Sequence, residues 1–121
     1  MNERQTLGRW GESVAATHLE AKGYQIVTRN WRCQHGEVDL VARTGEEWVF
    51  VEVKTRRGRD MGAPEEALTP RKQQKLLAVA QEYILTQALD VDWRIDLIAV
   101  ELDKAGKLLR CEHIPHAVLG W

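Results

Sequence analysis

The chain has 121 residues, of which 29% are charged, and a formal net charge of −1. That length fits one domain, residues 1–121, able to bury about two-thirds of its unfolded surface without disulfide or metal staples. Cys33 and Cys111 form no CxxC pair, no apolar run nears the roughly 20 residues of a membrane span, and Met1 to Gln5 has no signal-peptide apolar region, so the expectation is a cytoplasmic protein with no membrane partner.

Residues from about Thr6 to Lys22 read as a helix closed by Gly23, with Leu7, Trp10, Val14 and Leu19 near helical spacing. Glu12 has Gly8, Arg9, Ala15 and Ala16 as its helical neighbours, mostly small, so this face can lie close on a sheet. Glu12 then either reaches towards a site on that sheet, or pairs with Arg9 or is solvated. Tyr24 to Thr28 reads as a first strand, followed by Arg29-Asn30-Trp31-Arg32 and the turn-like Gln34-His35-Gly36. Trp31 is expected to pack rather than to stack on a base. Cys33 with His35, and Cys111 with His113 and His116, lack the paired spacing of a zinc site and are read as structural or incidental.

The segment from Gly36 to Lys54 organises the rest. Val38, Leu40 and Ala42 are expected on one face of a strand, with Glu37, Asp39 and Val41 on the other. After the Thr44-Gly45-Glu46 turn, Val49, Val51 and Val53 alternate with Trp48, Phe50, Glu52 and Lys54. A strand apolar on both faces belongs in the middle of a covered sheet, where an acid and an amine are costly to bury without a task or a partner. Counting from the turn brings Asp39 level with Glu52 and Lys54. Two acids and a lysine at one sheet end suit metal-dependent phosphodiester hydrolysis: Mg²⁺ prefers oxygen ligands and takes only one or two carboxylates. An Asp39–Lys54 or Glu52–Lys54 ion pair of purely structural use fits the local pattern equally well.

From Lys54 to Lys75 the cations are Lys54, Arg56, Arg57, Arg59, Arg71, Lys72 and Lys75, against Asp60, Glu65 and Glu66. That local +4 leaves −5 for the remainder, and a localised basic patch beside the acids fits phosphate binding, although a solvated loop and helix start would look the same. Thr55 to Gly62 is expected to be a mobile loop. Thr69 and Pro70 form an N-cap and N1 pair opening a helix to about Ala88. Its first turns carry Arg71, Lys72 and Lys75 against the helix dipole, which points to a compensating anion. Trp93 to Leu102 reads as a fourth strand and Lys107 to Ile114 as a fifth, with Asp96 paired to Arg94 or Arg110 and not catalytic.

The order is helix, three strands, helix, two strands: an α/β protein with a mixed central sheet flanked by helices. Asp39 followed after twelve residues by Glu52-Val53-Lys54 resembles the PD-(D/E)xK signature of restriction-endonuclease-like nucleases. The wider frame of Gly8-Arg9-Trp10-Gly11-Glu12, Arg29-Asn30-Trp31-Arg32, Gly36 to Ala42 and Phe50 to Lys54 resembles the small bacterial YraN-like family of that superfamily. The resemblance implies an α-β-β-β-α-β core and a nuclease in which Asp39 and Glu52 bind Mg²⁺ or Mn²⁺ and Lys54 assists. Similarity to archaeal Holliday-junction resolvases further implies that Glu12 completes the acidic metal site. It also implies DNA as the partner, branched DNA included, and a homodimer. Arg56, Arg57, Arg59, Arg71, Lys72 and Lys75 are the expected nucleic-acid-binding residues. The alternative is a non-catalytic nucleic-acid-binding or protein-interaction module on the same fold.

Overall fold

The computed structural model describes residues 2–119. The order of elements is α1 (Glu3–Ala21), β1 (Gln25–Cys33), β2 (Gly36–Thr44), β3 (Glu47–Arg57), a 3-10 turn (Pro64–Ala67), α2 (Pro70–Thr86), β4 (Trp93–Leu102) and β5 (Leu108–Ile114). α1 starts three residues before the expected Thr6, because Asn2 and Gln5 make a capping box. Asn2 Oδ1 accepts the Gln5 N–H at 2.8 Å, and Gln5 Oε1 accepts the Asn2 N–H at 3.1 Å. Gly23, at φ +94°, closes the helix as expected. Thr69 and Pro70 open α2, with Thr69 Oγ1 accepting the Lys72 N–H at 3.3 Å.

The strands form one mixed sheet in chain order, antiparallel throughout except for the parallel β3–β4 pair that the α2 crossover joins. α1 packs Ala15, Ala16 and Leu19 on one face, against Leu40, Ala42, Val49, Val51, Val53, Ile98 and Val100. α2 packs Leu76, Val79, Ala80 and Tyr83 on the other, against Val38, Val41, Phe50 and Ile95. β3 is therefore covered on both faces, as its doubly apolar pattern requires. Trp31 packs edge-on to Tyr83, with ring centroids 5.1 Å apart.

Three local expectations are corrected. β1 does not stop at Thr28: it runs to Cys33, a bulge between Ile26 and Thr28 absorbing a residue of register. β3 runs two residues beyond Thr55, paired with β4 as far as Arg57–Leu102, so the expected Thr55–Gly62 loop begins as strand. Val38 does not share a layer with Leu40 and Ala42; it packs with Val41 on the α2 side. The alternation thus changes phase at Asp39, where the strand cannot be regular.

Among the described residues, no helix is long and apolar enough to cross a membrane.

Candidate active site

The phase change at Asp39 marks a fork in the sheet. The β2–β3 ladder runs from Thr44–Glu47 to Leu40–Val51 and ends there. Beyond it, Gly36 to Val38 pair with β1, while Glu52 to Arg57 pair with β4. One further step of the ladder would set Asp39 opposite Glu52, which is the level expected from the turn. The Asp39 side chain takes the place of the missing ladder bond: its Oδ2 accepts the Val53 N–H at 2.8 Å. Across β1, Asn30 stands at the same level with φ +53°, a conformation that asparagine tolerates better than most residues.

The electrostatics of the fork are unfavourable as built. Burial first, and the Glu52 carboxylate second, push the Asp39 carboxyl up to about 8, although the Val53 N–H pulls the other way. Asp39 and Glu52 stand close enough for a protonated Asp39 to donate to Glu52, so the two acids titrate as a pair. Glu12, half-buried on α1, is also raised, by burial and then by the charge of Asp39, with a hydrogen bond from Asn30 opposing the rise. Burial lowers Lys54, as does neighbouring Arg56, while Glu52 and Asp39 attract its charge.

α1 reaches this region through a close backbone approach. A Cβ on Gly11 would lie 1.8 Å from Thr55 Oγ1, so only glycine lets the helix settle on β3 next to Glu12. The small residue that matters is Gly11, whereas a Cβ on Gly8 would meet nothing within 4 Å.

The fork thus brings Glu12, Asp39, Glu52 and Lys54 into one electrostatic neighbourhood. No acid lies within ion-pair distance of Lys54 among the described residues, so the structural Asp39–Lys54 or Glu52–Lys54 pair is absent. Glu52 is instead paired with Lys72 of α2, Nζ to Oε2, at 3.2 Å. The anion expected to offset the cations at the start of α2 is therefore, for Lys72, internal. Nor do Glu12, Asp39 and Glu52 close into a triad: no three Asp, Glu, His or Cys side chains among the described residues group tightly enough to hold an ion. Arg71 and Lys75 are exposed on α2, Arg57 is exposed at the end of β3, and Arg56 is half-buried with its Nε unpartnered. Arg59 is engaged by Glu101, which also binds Arg110. Asn30 was overlooked in the sequence, and its signal was an asparagine inside a strand-forming run.

Asp96 lies apart from this group, fully buried and paired with Arg94 at 3.0 Å as one of its two expected partners. It also accepts from His113 Nε2 at 2.6 Å and from the His116 N–H at 3.0 Å.

Comparison with known proteins adds relatives along nearly the whole chain. A protein of Roseiflexus castenholzii described as a UPF0102 protein is 44% identical over 117 residues, covering 95% of this chain and 94% of its own. UPF0102 proteins of Chloroflexus aurantiacus and Syntrophotalea carbinolica are each 45% identical, the latter covering 98% of both chains. Among solved structures, that of Pyrococcus furiosus SfsA in complex with Ca²⁺ is similar with a TM-score of 0.45 and 16% identity, over 97% of this chain and 65% of that one. Residues 11–100 match the family described as uncharacterised protein family UPF0102. With that match and relatives of this identity and coverage, the chain belongs to the UPF0102 family, the YraN-like family that its motifs resemble.

Proposed function

We propose that this protein is a metal-dependent nuclease that hydrolyses phosphodiester bonds in DNA, branched DNA included. The observation that carries the reading is the half-buried Asp39–Glu52 pair, brought together at the sheet fork with no cation bonded to Asp39 among the described residues. Two acids set against each other in this way are a poor structural device, since removing either charge would relieve the repulsion. They suit a hard divalent cation, which takes carboxylate oxygens and relieves the same repulsion.

Asp39 and Glu52 would hold Mg²⁺ or Mn²⁺, and Glu12 would add negative charge from α1. A bound ion of this kind acidifies water and offsets charge on phosphoryl oxygens. Lys54, half-buried and unpaired, is free to hydrogen-bond a phosphate oxygen or to orient the attacking water through Nζ. Exposed Arg57, Arg71 and Lys75 are available to the phosphate backbone, whereas Lys72 must leave Glu52 to take part.

The test is cleavage of labelled four-way, flap, single-stranded and duplex DNAs with Mg²⁺, Mn²⁺ or EDTA. The reading expects metal-dependent cutting that falls by at least about a hundredfold in Asp39→Asn and Lys54→Met while binding persists. Binding without cutting under every condition, unchanged by either substitution, would favour the non-catalytic module instead.

A further inference from the structure

A cleft of about 1120 Å³ opens beside the acids, between the first turns of α1 and the end of β3. It is larger than the roughly 300–1,000 Å³ that one drug-sized ligand occupies, so it has room for more than one nucleotide. Lys54 lines it, which makes the cleft continuous with the fork. Its charged lining is Arg4, Lys54, Arg56 and Arg57 against the single acid Glu3, which selects an anion. Its lining also includes Trp10 and Met61, which are 39% and 74% exposed. Phosphates alone have no use for an exposed indole. A duplex keeps its base faces stacked on one another, whereas an unpaired strand presents them to an aromatic ring.

The geometry points to this cleft as the seat of an unpaired nucleic-acid strand running from the fork, with a base stacked on Trp10 and its phosphates on Arg4, Arg56 and Arg57. The inference rests on the nuclease reading of the fork and narrows it: the preferred substrate carries a single-stranded segment next to the bond that is cut. A continuous duplex would leave Trp10 idle.

The experiment measures the affinity of fluorescein-labelled oligo(dT) and of a blunt duplex by anisotropy, with Ca²⁺ replacing Mg²⁺. The proteins are wild type, Trp10→Ala, Trp10→Phe and Gly8→Leu. Gly8→Leu adds a side chain where a Cβ meets open space, so it plugs the cleft while improving the helix. Stacking on one base predicts that Trp10→Ala weakens oligo(dT) binding about 5- to 150-fold, and that Trp10→Phe retains most of the affinity. Gly8→Leu weakens it likewise without lowering Tm, and duplex affinity changes by less than about threefold in each variant. Oligo(dT) affinity unchanged in both Trp10→Ala and Gly8→Leu would overturn the cleft assignment. If Asp39-dependent cleavage is still present in that case, the fork reading stands alone. A wild type that neither binds nor cuts any of these DNAs would overturn both.

Discussion

Asp39 and Asp96 are acids interrupting apolar strands of one sheet, and they are handled in opposite ways. Burial works against the charge of each. Around Asp96, hydrogen bonds from His113, Arg94 and the His116 N–H overcome that cost and hold the carboxyl below the usual range. Around Asp39, the next largest influence after burial is a second acid, and the carboxyl rises to about 8. Arg94 extends the Asp96 cluster to Glu47 and to the Tyr24 hydroxyl, and Lys22 Nζ meets His113 Nδ1 at 3.0 Å, so the C-terminal end of α1 is tied into it. A buried acid whose bonding is completed within the chain serves the fold. The acid left in conflict is the one that the proposed function assigns to a cation from outside the chain.

The sharpest way to break the comparison is to neutralise each acid. Asp96→Ala removes the fully buried acceptor shared by Arg94, His113 and the His116 N–H and should cost about 3–5 kcal/mol in urea unfolding. Asp39→Asn should raise stability, because the amide can still accept from Val53 and can donate to Glu52. A second pair of substitutions separates two positions one turn apart on α1. Gly11→Ala forces a methyl against Thr55 and should cost about 1–3 kcal/mol, lifting Glu12 from the fork, whereas Gly8→Ala should gain up to about 1 kcal/mol.

The pH dependence sharpens the contrast further. Folded Asp39 binds its proton more tightly than the unfolded chain does, so its contribution to stability is complete below its ordinary value of 3.8 and is lost as pH rises through about 8. Folded Asp96 binds its proton less tightly, so its contribution is complete above 3.8 and is lost as pH falls through its depressed folded value. Urea midpoints should therefore fall from about pH 5 to about pH 8 and level off by about pH 9 in wild type, and stay flatter in Asp39→Asn. The smallest expected effect belongs to Glu12: Glu12→Gln should reduce cleavage by less than Asp39→Asn does, since Glu12 acts on the pair from a distance rather than closing a triad with it.

Much of this was legible in the sequence because one residue type decided it. Alternation in β3 separated Val49, Val51 and Val53 from Phe50 onto opposite faces, which α1 and α2 cover respectively, and the short turn set the level of Asp39 and Glu52. Thr69-Pro70 opened α2, and the pairing of Asp96 with Arg94 was among the expected alternatives. What escaped depended on departures from regularity. The fork at Asp39 exists because two ladders diverge, which alternation along one strand cannot reveal. Likewise, the Asn2–Gln5 capping box lay outside the apolar pattern that was used to start α1, and Lys72 meets Glu52 only after the crossover folds α2 over β3. The engagement of Arg59 by Glu101 joins residues far apart in the chain, so a count of nearby cations included it in the basic patch.

Calorimetric titration with Mn²⁺ in buffers of different ionisation enthalpy tests the cation site most directly, without needing a substrate. With Asp39 carrying a proton at neutral pH, binding should release about one proton per ion at pH 7, fall towards none at about pH 9, and vanish in Asp39→Asn. Mn²⁺ that fails to bind, or that binds Asp39→Asn as well as wild type with no proton released, would contradict the assignment of the fork as a metal site.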